Sequence, residues 1–166
     1  MQENIKLSKY TSFRIGGPAS FFVDAKTDDD FLSALKFSKE KNLPFLILGG
    51  GTNMLISDKG FPGVVIRSQG RGLTFEDHGE NGLIISDTGN VLPIINQFAN
   101  QNGLVGFEKL ATVPGTLGGA IYNNAHWKDD LLSNHIQWVE VIDPIAEDIS
   151  VKRLNTKELD FKYDSS

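Results

Sequence analysis

The chain contains no cysteine and no long hydrophobic run. The absence of cysteine excludes disulfides, thiolate catalysis and cysteine-ligated metal, and it agrees with a reducing compartment. No apolar run reaches about 18 residues, the length that a transmembrane helix needs. Residues 1–6 lack the basic and apolar regions of a secretory signal. We therefore expect a cytoplasmic protein that does not act on a membrane.

Positive charge is also scarce. The 166 residues carry 16 Lys and Arg against 21 Asp and Glu, a formal net charge of −5, and the basic residues do not cluster. This balance disfavours a nucleic-acid-binding protein. A hydrophobic content of 40% with 10% aromatic residues excludes a disordered chain and is enough to form a core.

Glycine, in contrast, is abundant: 17 of the 166 residues are glycine, about 10%, against an average usage of about 7%. The glycines concentrate at 16–17, 49–51 and 115–119, and they lie between apolar runs rather than among serines. This pattern predicts tight loops rather than flexible linkers.

The first part of the chain, residues 1–68, has the pattern of a βαβ lobe. A helix is predicted over 28–41, because Thr27 and three aspartates precede a helical period of apolar residues. The apolar residues 44–48 predict a strand that is buried on both faces. We expect strands 45–48 and 64–67 to share one sheet packed on this helix. The other strands are predicted at 20–25 and 54–56.

Residues 69–166 are predicted to form a second α+β lobe. A strand is expected at 83–85. A helix beginning near 90–93 should end at Asn102-Gly103. The alternation at 138–143 predicts a strand that pairs back with 148–151 as a hairpin. The apolar face of the helix is expected to carry Val91, Ile94, Ile95, Phe98 and Ala99.

The first candidate site is the loop Gly49-Gly50-Gly51-Thr52-Asn53, which follows the predicted strand directly. Glycines let the backbone approach a ligand closely, and exposed N–H groups in such a turn suit phosphate oxygens. Thr52 and Asn53 add side-chain donors. A plain tight loop explains the glycines equally well. The sequence contains no Gly-Lys-Ser/Thr, which a Walker A motif needs. Met54 stands where a Rossmann fingerprint has its third glycine.

The second candidate site lies at 112–120. Pro114 and Gly115 predict a sharp turn before a short helix whose free N–H groups would face an anion, with tight packing of that helix as the alternative. The third candidate is Arg14, which lies among small and apolar residues and is predicted to anchor a pyrophosphate, with a solvated surface arginine as the alternative. His126 and His135 have no third ligand, so no metal site is predicted. The candidate residues of the second site are Thr112, Val113, Pro114, Gly115, Thr116, Gly118, Gly119 and Ala120.

Together these loops resemble the UDP-N-acetylenolpyruvoylglucosamine reductase family. The resemblance rests on Thr-Ser-Phe-Arg-Ile-Gly-Gly-Pro-Ala at 11–19 and on Leu-Gly-Gly-Gly-Thr-Asn-Met-Leu-Ile-Ser at 48–57. It also rests on Val-Pro-Gly-Thr-Leu-Gly-Gly-Ala-Ile at 113–121. The order and spacing match over nearly the whole chain.

The resemblance implies an α+β fold, the two-lobed FAD-binding domain of the vanillyl-alcohol oxidase (PCMH) type. FAD would lie between the lobes, with its pyrophosphate on the 49–53 loop and its ring toward 112–120. The implied reaction uses NADPH to reduce UDP-N-acetylglucosamine enolpyruvate to UDP-N-acetylmuramate for peptidoglycan, and Tyr163 would contact the substrate. The first loop has no histidine, which implies non-covalent FAD.

The sequence also departs from the family pattern. The family's chain is about twice as long, and its substrate domain, which supplies a proton-donating serine and a glutamate, has no counterpart here. Asp164 stands where the family often has an arginine, and His126 where it has a glycine. We therefore expect these 166 residues alone not to reduce the enolpyruvyl substrate. Two alternatives remain: a separate flavin-binding subunit, or another non-covalent flavoprotein oxidoreductase.

Overall fold

The computed structural model describes residues 1–79, 81–147, 149–162 and 165. The chain forms two compact units. The first unit comprises Met1–Gln69 and Glu140–Arg153, and the second comprises Gly70–Val139 and Leu154–Ser166. The sequence pattern predicts residues 140–153 in the second lobe. They belong instead with the first unit, because Ile142 and Ile149 pack into its core.

A four-stranded sheet organises the first unit. Its strands are β1 (Gln2–Lys6), β2 (Pro18–Ala25), β3 (Phe45–Leu48) and β4 (Phe61–Ser68), and they lie in the order β1-β2-β4-β3. Strand β1 runs antiparallel to β2, whereas β2 and β3 both run parallel to the central strand β4. The predicted sheet partnership of 45–48 and 64–67 is therefore confirmed.

Helix α1 (Asp28–Glu40) packs on this sheet, as predicted. It begins with a capping box, in which the Thr27 side chain accepts the Asp30 backbone N–H and the Asp30 side chain accepts the Thr27 N–H. Backbone N–H groups of Lys26 and Thr27 hold the pKa of Asp30 below its ordinary value, because they stabilise the carboxylate. Ala34 and Leu35 are buried against the sheet.

Two strand predictions are wrong. Strand β3 is not buried on both faces: it lies at the sheet edge, and Phe45 and Ile47 are 38% and 46% exposed. An apolar run reports hydrophobicity but not whether a strand is central, and the buried centre is β4. Residues 54–56 form a loop, in which Ile56 is buried because it packs into the core rather than because it pairs in a sheet.

The second unit contains the antiparallel hairpin of β5 (Leu73–His78) and β6 (Asn81–Ser86). Helix α2 (Leu92–Gln101) buries Leu92, Ile95 and Ala99, whereas Ile94 is 46% exposed, so the buried face is rotated from the predicted one. The second unit also contains helix α3 (Leu117–Tyr122) and strands β7 (His126–Trp127) and β8 (Asp130–Leu131). Strands β9 (Trp138–Ile142) and β10 (Val151–Asn155) each have residues in both units.

Strand β9 pairs with a strand that follows it, as predicted, but this partner is β10, which begins at Val151, the last residue of the predicted segment 148–151. Asp148 lies outside the described residues. Strands β1 and β5 were not predicted, because their polar residues obscure the alternation typical of a strand. No helix in the described part of the chain has the length and apolarity of a membrane span.

Candidate functional site

Two of the three candidate segments meet within the first unit. The N-terminal segment that carries Arg14 folds back onto the glycine loop, and the Ser12 N–H donates to the Gly51 carbonyl at 3.0 Å. The Thr11 hydroxyl donates to the Ile15 carbonyl at 2.9 Å, which closes the turn around Arg14. These hydrogen bonds therefore hold the Arg14 turn against the glycine loop.

Gly51 explains why this arrangement needs glycine. Its φ is +64°, in the left-handed region, and a Cβ built there would lie 2.0 Å from the Tyr10 carbonyl oxygen. Any side chain would force the two segments apart. Gly51 thus faces the packed interior, and its role is to let the N-terminal segment approach the loop.

An open cavity of about 410 Å³ lies where these segments meet. Its lining carries three cationic side chains, and no described residue of the lining has a carboxylate. Such a concentration of positive charge with glycine backbone suits a phosphate or diphosphate group. The lining residues are Lys9, Tyr10, Thr11, Ser12, Arg14, Gly49, Gly50 and Arg67.

The sheet brings Arg67 to this cavity. Strands β3 and β4 are parallel, and Leu48 pairs with Arg67, so the chain enters Gly49 beside Arg67. The guanidinium donates to Asp24 Oδ1 at 3.2 Å and lies 4.9 Å from the centre of the Tyr10 ring. The Tyr10 ring in turn stacks on buried Phe22 at 4.7 Å between centroids.

The cavity thus contains part of the predicted first site and several residues that were not predicted. Arg14, Gly49 and Gly50 line it, whereas Gly51 packs behind it and Thr52 and Asn53 are outside the lining. Lys9, Tyr10 and Arg67 line the cavity but were not among the predicted site residues. One signal for Arg67 was available, because ligands approach parallel sheets at the carboxyl ends of the strands.

The second glycine loop is built differently. At the start of α3, the Leu117 N–H donates to the Asn90 carbonyl at 2.7 Å and the Gly118 N–H donates to the Thr88 carbonyl at 2.9 Å. The expectation that the first N–H groups of this helix are free for an anion is therefore wrong for these two residues. Loop 88–90 occupies them, so this end of the helix is a packing contact.

The loop still presents an exposed surface. Thr112, Pro114 and Gly119 are exposed, while Thr116 and Ala120 are buried beneath them. Gly115 adopts a φ of +125°, which produces the predicted sharp turn. Val113 is half-buried and packs against the core of the second unit. This small-residue surface leaves room for a flat group, but it offers fewer free amides than the sequence suggested.

Residues after α3 are held by a buried asparagine. Asn124 is 2% exposed; its Nδ2–H donates to the Lys162 carbonyl at 2.9 Å and its Oδ1 accepts the Ser133 N–H at 3.1 Å. Tyr163 and Asp164, the predicted substrate contact and the departure from the family pattern, lie outside the described residues. Within the described part of the chain, no group of three or more His, Cys, Asp or Glu residues could hold a metal ion.

The family described as FAD binding domain matches residues 19–149. The chain belongs to this FAD-binding domain family. The match covers most of the first unit and much of the second, and it supports FAD as the cofactor. The expected α+β fold of the vanillyl-alcohol oxidase type is thus confirmed.

Relatives of this FAD-binding domain are reductases. The chain is 34% identical over 161 residues to a UDP-N-acetylenolpyruvoylglucosamine reductase of Clostridium perfringens, covering 96% of this chain and 51% of that protein. It is 30% identical to the enzyme of that name from Prochlorococcus marinus, covering 100% of this chain and 56% of that protein. The chain spans about half the length of the curated relatives it matches.

The fold is also similar to a solved structure. The crystal structure of UDP-N-acetylenolpyruvylglucosamine reductase (MurB) from Thermus caldophilus matches with a TM-score of 0.73 and 27% identity. The match covers 98% of this chain and 55% of that one. The expected resemblance to the reductase family is therefore confirmed by both sequence and fold.

Proposed function

We propose that the chain is the FAD-binding portion of an NADPH-dependent reductase that converts UDP-N-acetylglucosamine enolpyruvate to UDP-N-acetylmuramate in peptidoglycan synthesis. The observation that carries this proposal is the cationic cavity of the first unit, where Arg14, Gly49 and Gly50 meet in a member of the FAD-binding domain family. The names of the relatives supply the reaction and its substrate.

The cavity residues fit the pyrophosphate of FAD. Arg14 offers a delocalised cation that pairs well with phosphate oxygens, and Gly49 and Gly50 let the backbone approach them. Gly51 packs behind this surface, and Thr52 and Asn53, which complete the loop, remain proposed cofactor contacts. Because loop 49–53 contains no histidine, we propose that FAD is held without a covalent bond.

The small-residue loop at 112–120 is the other proposed flavin contact, as the family resemblance implies. Bound FAD would supply hydride-transfer chemistry between NADPH and the enolpyruvyl double bond, and the protein would position and polarise the reactants. Tyr163 is the proposed substrate contact. We also propose a cytoplasmic location, because NADPH and nucleotide sugars are cytoplasmic metabolites.

The decisive measurement is a titration of the purified chain with FAD, followed by quenching of flavin fluorescence. We expect saturable quenching by the wild type and release of intact FAD on denaturation. Gly50→Val should abolish binding, because it places a branched side chain in the lining of the cavity.

Ser33→Val is the matched control, since it adds a branched side chain on the exposed face of α1. It should bind FAD like the wild type. If Gly50→Val folds and binds FAD with unchanged affinity, the glycine loop is not the phosphate cradle. Wild-type protein that is folded yet binds no flavin would contradict the proposed cofactor.

A further inference from the structure

We infer that Arg67 is a second phosphate-binding cation of the cavity, held in position by Asp24 and Tyr10. This inference rests on the proposed FAD binding and adds a residue that the glycine-loop pattern does not contain. Three independent features of the structure support it: the rigidity of the position, the orientation of the guanidinium and the charge of the cavity.

The position of Arg67 is rigid. It is the penultimate residue of β4, the central strand, and the preceding residues Val64, Val65 and Ile66 are fully buried. Backbone pairing with Asp24 on one side and Leu48 on the other fixes its location beside Gly49. A cation on such a strand is placed more accurately than one on a loop.

The guanidinium is also oriented before any ligand arrives. One N–H of Nη1 donates to Asp24 Oδ1 at 3.2 Å, and the Tyr10 ring lies 4.9 Å from Cζ. A guanidinium has five N–H donors, so this contact engages one of them. The side chain is 29% exposed. Because the arginine side chain is already ordered, less side-chain entropy is lost when an anion binds to it.

With Arg67 included, the net charge of the cavity matches that of a diphosphate group. Lys9, Arg14 and Arg67 contribute three positive charges to the lining, and Asp24 beside Arg67 offsets one of them. The remaining charge matches a diphosphate diester, which carries about two negative charges, one per phosphate. A purely structural ion pair is a weak alternative, because partly exposed pairs of this kind contribute little to stability.

The first test uses Arg67→Gln, which removes the charge and keeps a similar length. Isothermal titration calorimetry measures the affinities for FAD and for inorganic pyrophosphate. We expect both affinities to be about 10- to 100-fold lower than in the wild type, because a charge-assisted hydrogen bond is lost. Arg153→Gln is the control, because Arg153 forms a comparable pair with Glu140 at 2.8 Å and lies outside the lining. Wild-type affinity in a folded Arg67→Gln would overturn the inference.

The second test needs no variant and so does not depend on folding of a mutant. The wild-type protein is treated with phenylglyoxal, an arginine reagent, with and without saturating pyrophosphate, and modified peptides are counted by mass spectrometry. Pyrophosphate should protect Arg67 and Arg14 but not Arg153. Modification of Arg67 at the same rate under both conditions would overturn the inference.

The two proposals fail separately. Binding of FAD without protection of Arg67 would leave the proposed function standing and remove Arg67 from the site. Binding of pyrophosphate with protection of Arg67, but without binding of FAD, would support the anion site and contradict the proposed cofactor. A wild-type protein that binds neither probe would contradict both.

Discussion

The two glycine-rich loops look alike in sequence but use their backbones in opposite ways. In the first unit, Gly49 and Gly50 line a cationic cavity, and Gly51 packs behind them. In the second unit, the amides of Leu117 and Gly118 are bonded to loop 88–90. Glycine in a loop therefore indicates a close approach of backbone, and the partner that approaches decides whether the loop binds a ligand or another part of the chain.

The largest contrast should come from adding one methyl group to each loop. Gly51→Ala should destabilise the first unit by about 3 kcal/mol or more, because its Cβ would lie 2.0 Å from the Tyr10 carbonyl oxygen at a φ of +64°. Gly119→Ala should be neutral or stabilising by up to about 1 kcal/mol, since the nearest heavy atom is 3.8 Å away and the residue is helical. Urea unfolding followed by circular dichroism measures both. Equal losses of stability would break the contrast.

A smaller loss of stability is expected from a substitution in loop 88–90, whose carbonyls accept the first N–H groups of α3. Asn90 is 3% exposed, and its Nδ2–H donates to the Gly72 carbonyl at 2.9 Å. Asn90→Ala should cost about 1–3 kcal/mol, because it removes hydrogen bonds made by a buried side chain. Asn100→Ala on the exposed side of α2 is the control. Hydrogen exchange should show faster exchange at Leu117 and Gly118 in the Asn90 variant only.

The smallest effect concerns the helix caps of the two units. Thr27 caps α1, whereas Val91 at the start of α2 makes no side-chain cap. Thr27→Ala should cost about 0.5–2 kcal/mol in thermal or urea unfolding. Val91→Ala should lack this capping loss. Equal costs of the two substitutions would show that the capping box does not distinguish the helices.

The same cap predicts a pH dependence. The pKa of Asp30 is lowered in the folded chain by backbone N–H groups, so its contribution to stability is present above the unfolded pKa of about 3.9. That contribution should be lost as the pH falls through the lower folded pKa. The stability difference between the wild type and Asp30→Ala, measured by urea unfolding, should therefore shrink below about pH 4. A difference that is constant from pH 7 to about pH 2 would contradict a role for the carboxylate charge.

Local patterns in the sequence were sufficient for several elements. Thr27 followed by Asp30 and the apolar period placed α1, and the apolar run placed β3. These features depend on residues within one or two turns of each other, so they can be read without knowledge of the fold. Arg14 and the glycines were recognised as candidates for the same reason.

Other features depend on residues far apart in the chain. Arg67 was not predicted because its neighbours in the cavity come from distant parts of the chain. The pairing of β3 with β4 brings Gly49 beside it, and the stacking of Tyr10 on Phe22 of β2 brings the Tyr10 ring. The edge position of β3 was also invisible, because apolar residues occur in edge and central strands alike. Residues 140–153 were predicted in the second lobe because they follow it in sequence, whereas Ile142 and Ile149 pack into the core of the first unit.

The sequence by itself determined the secondary structure signals, the glycine loops, the excess of negative charge and the family to which the chain belongs. The tertiary structure decided which loop amides remain available, which strand is central and which cations share a cavity. The physical reason is that propensity and capping act between near neighbours, whereas burial, hydrogen-bond occupancy and the summed field of Lys9, Arg14 and Arg67 depend on how the chain packs.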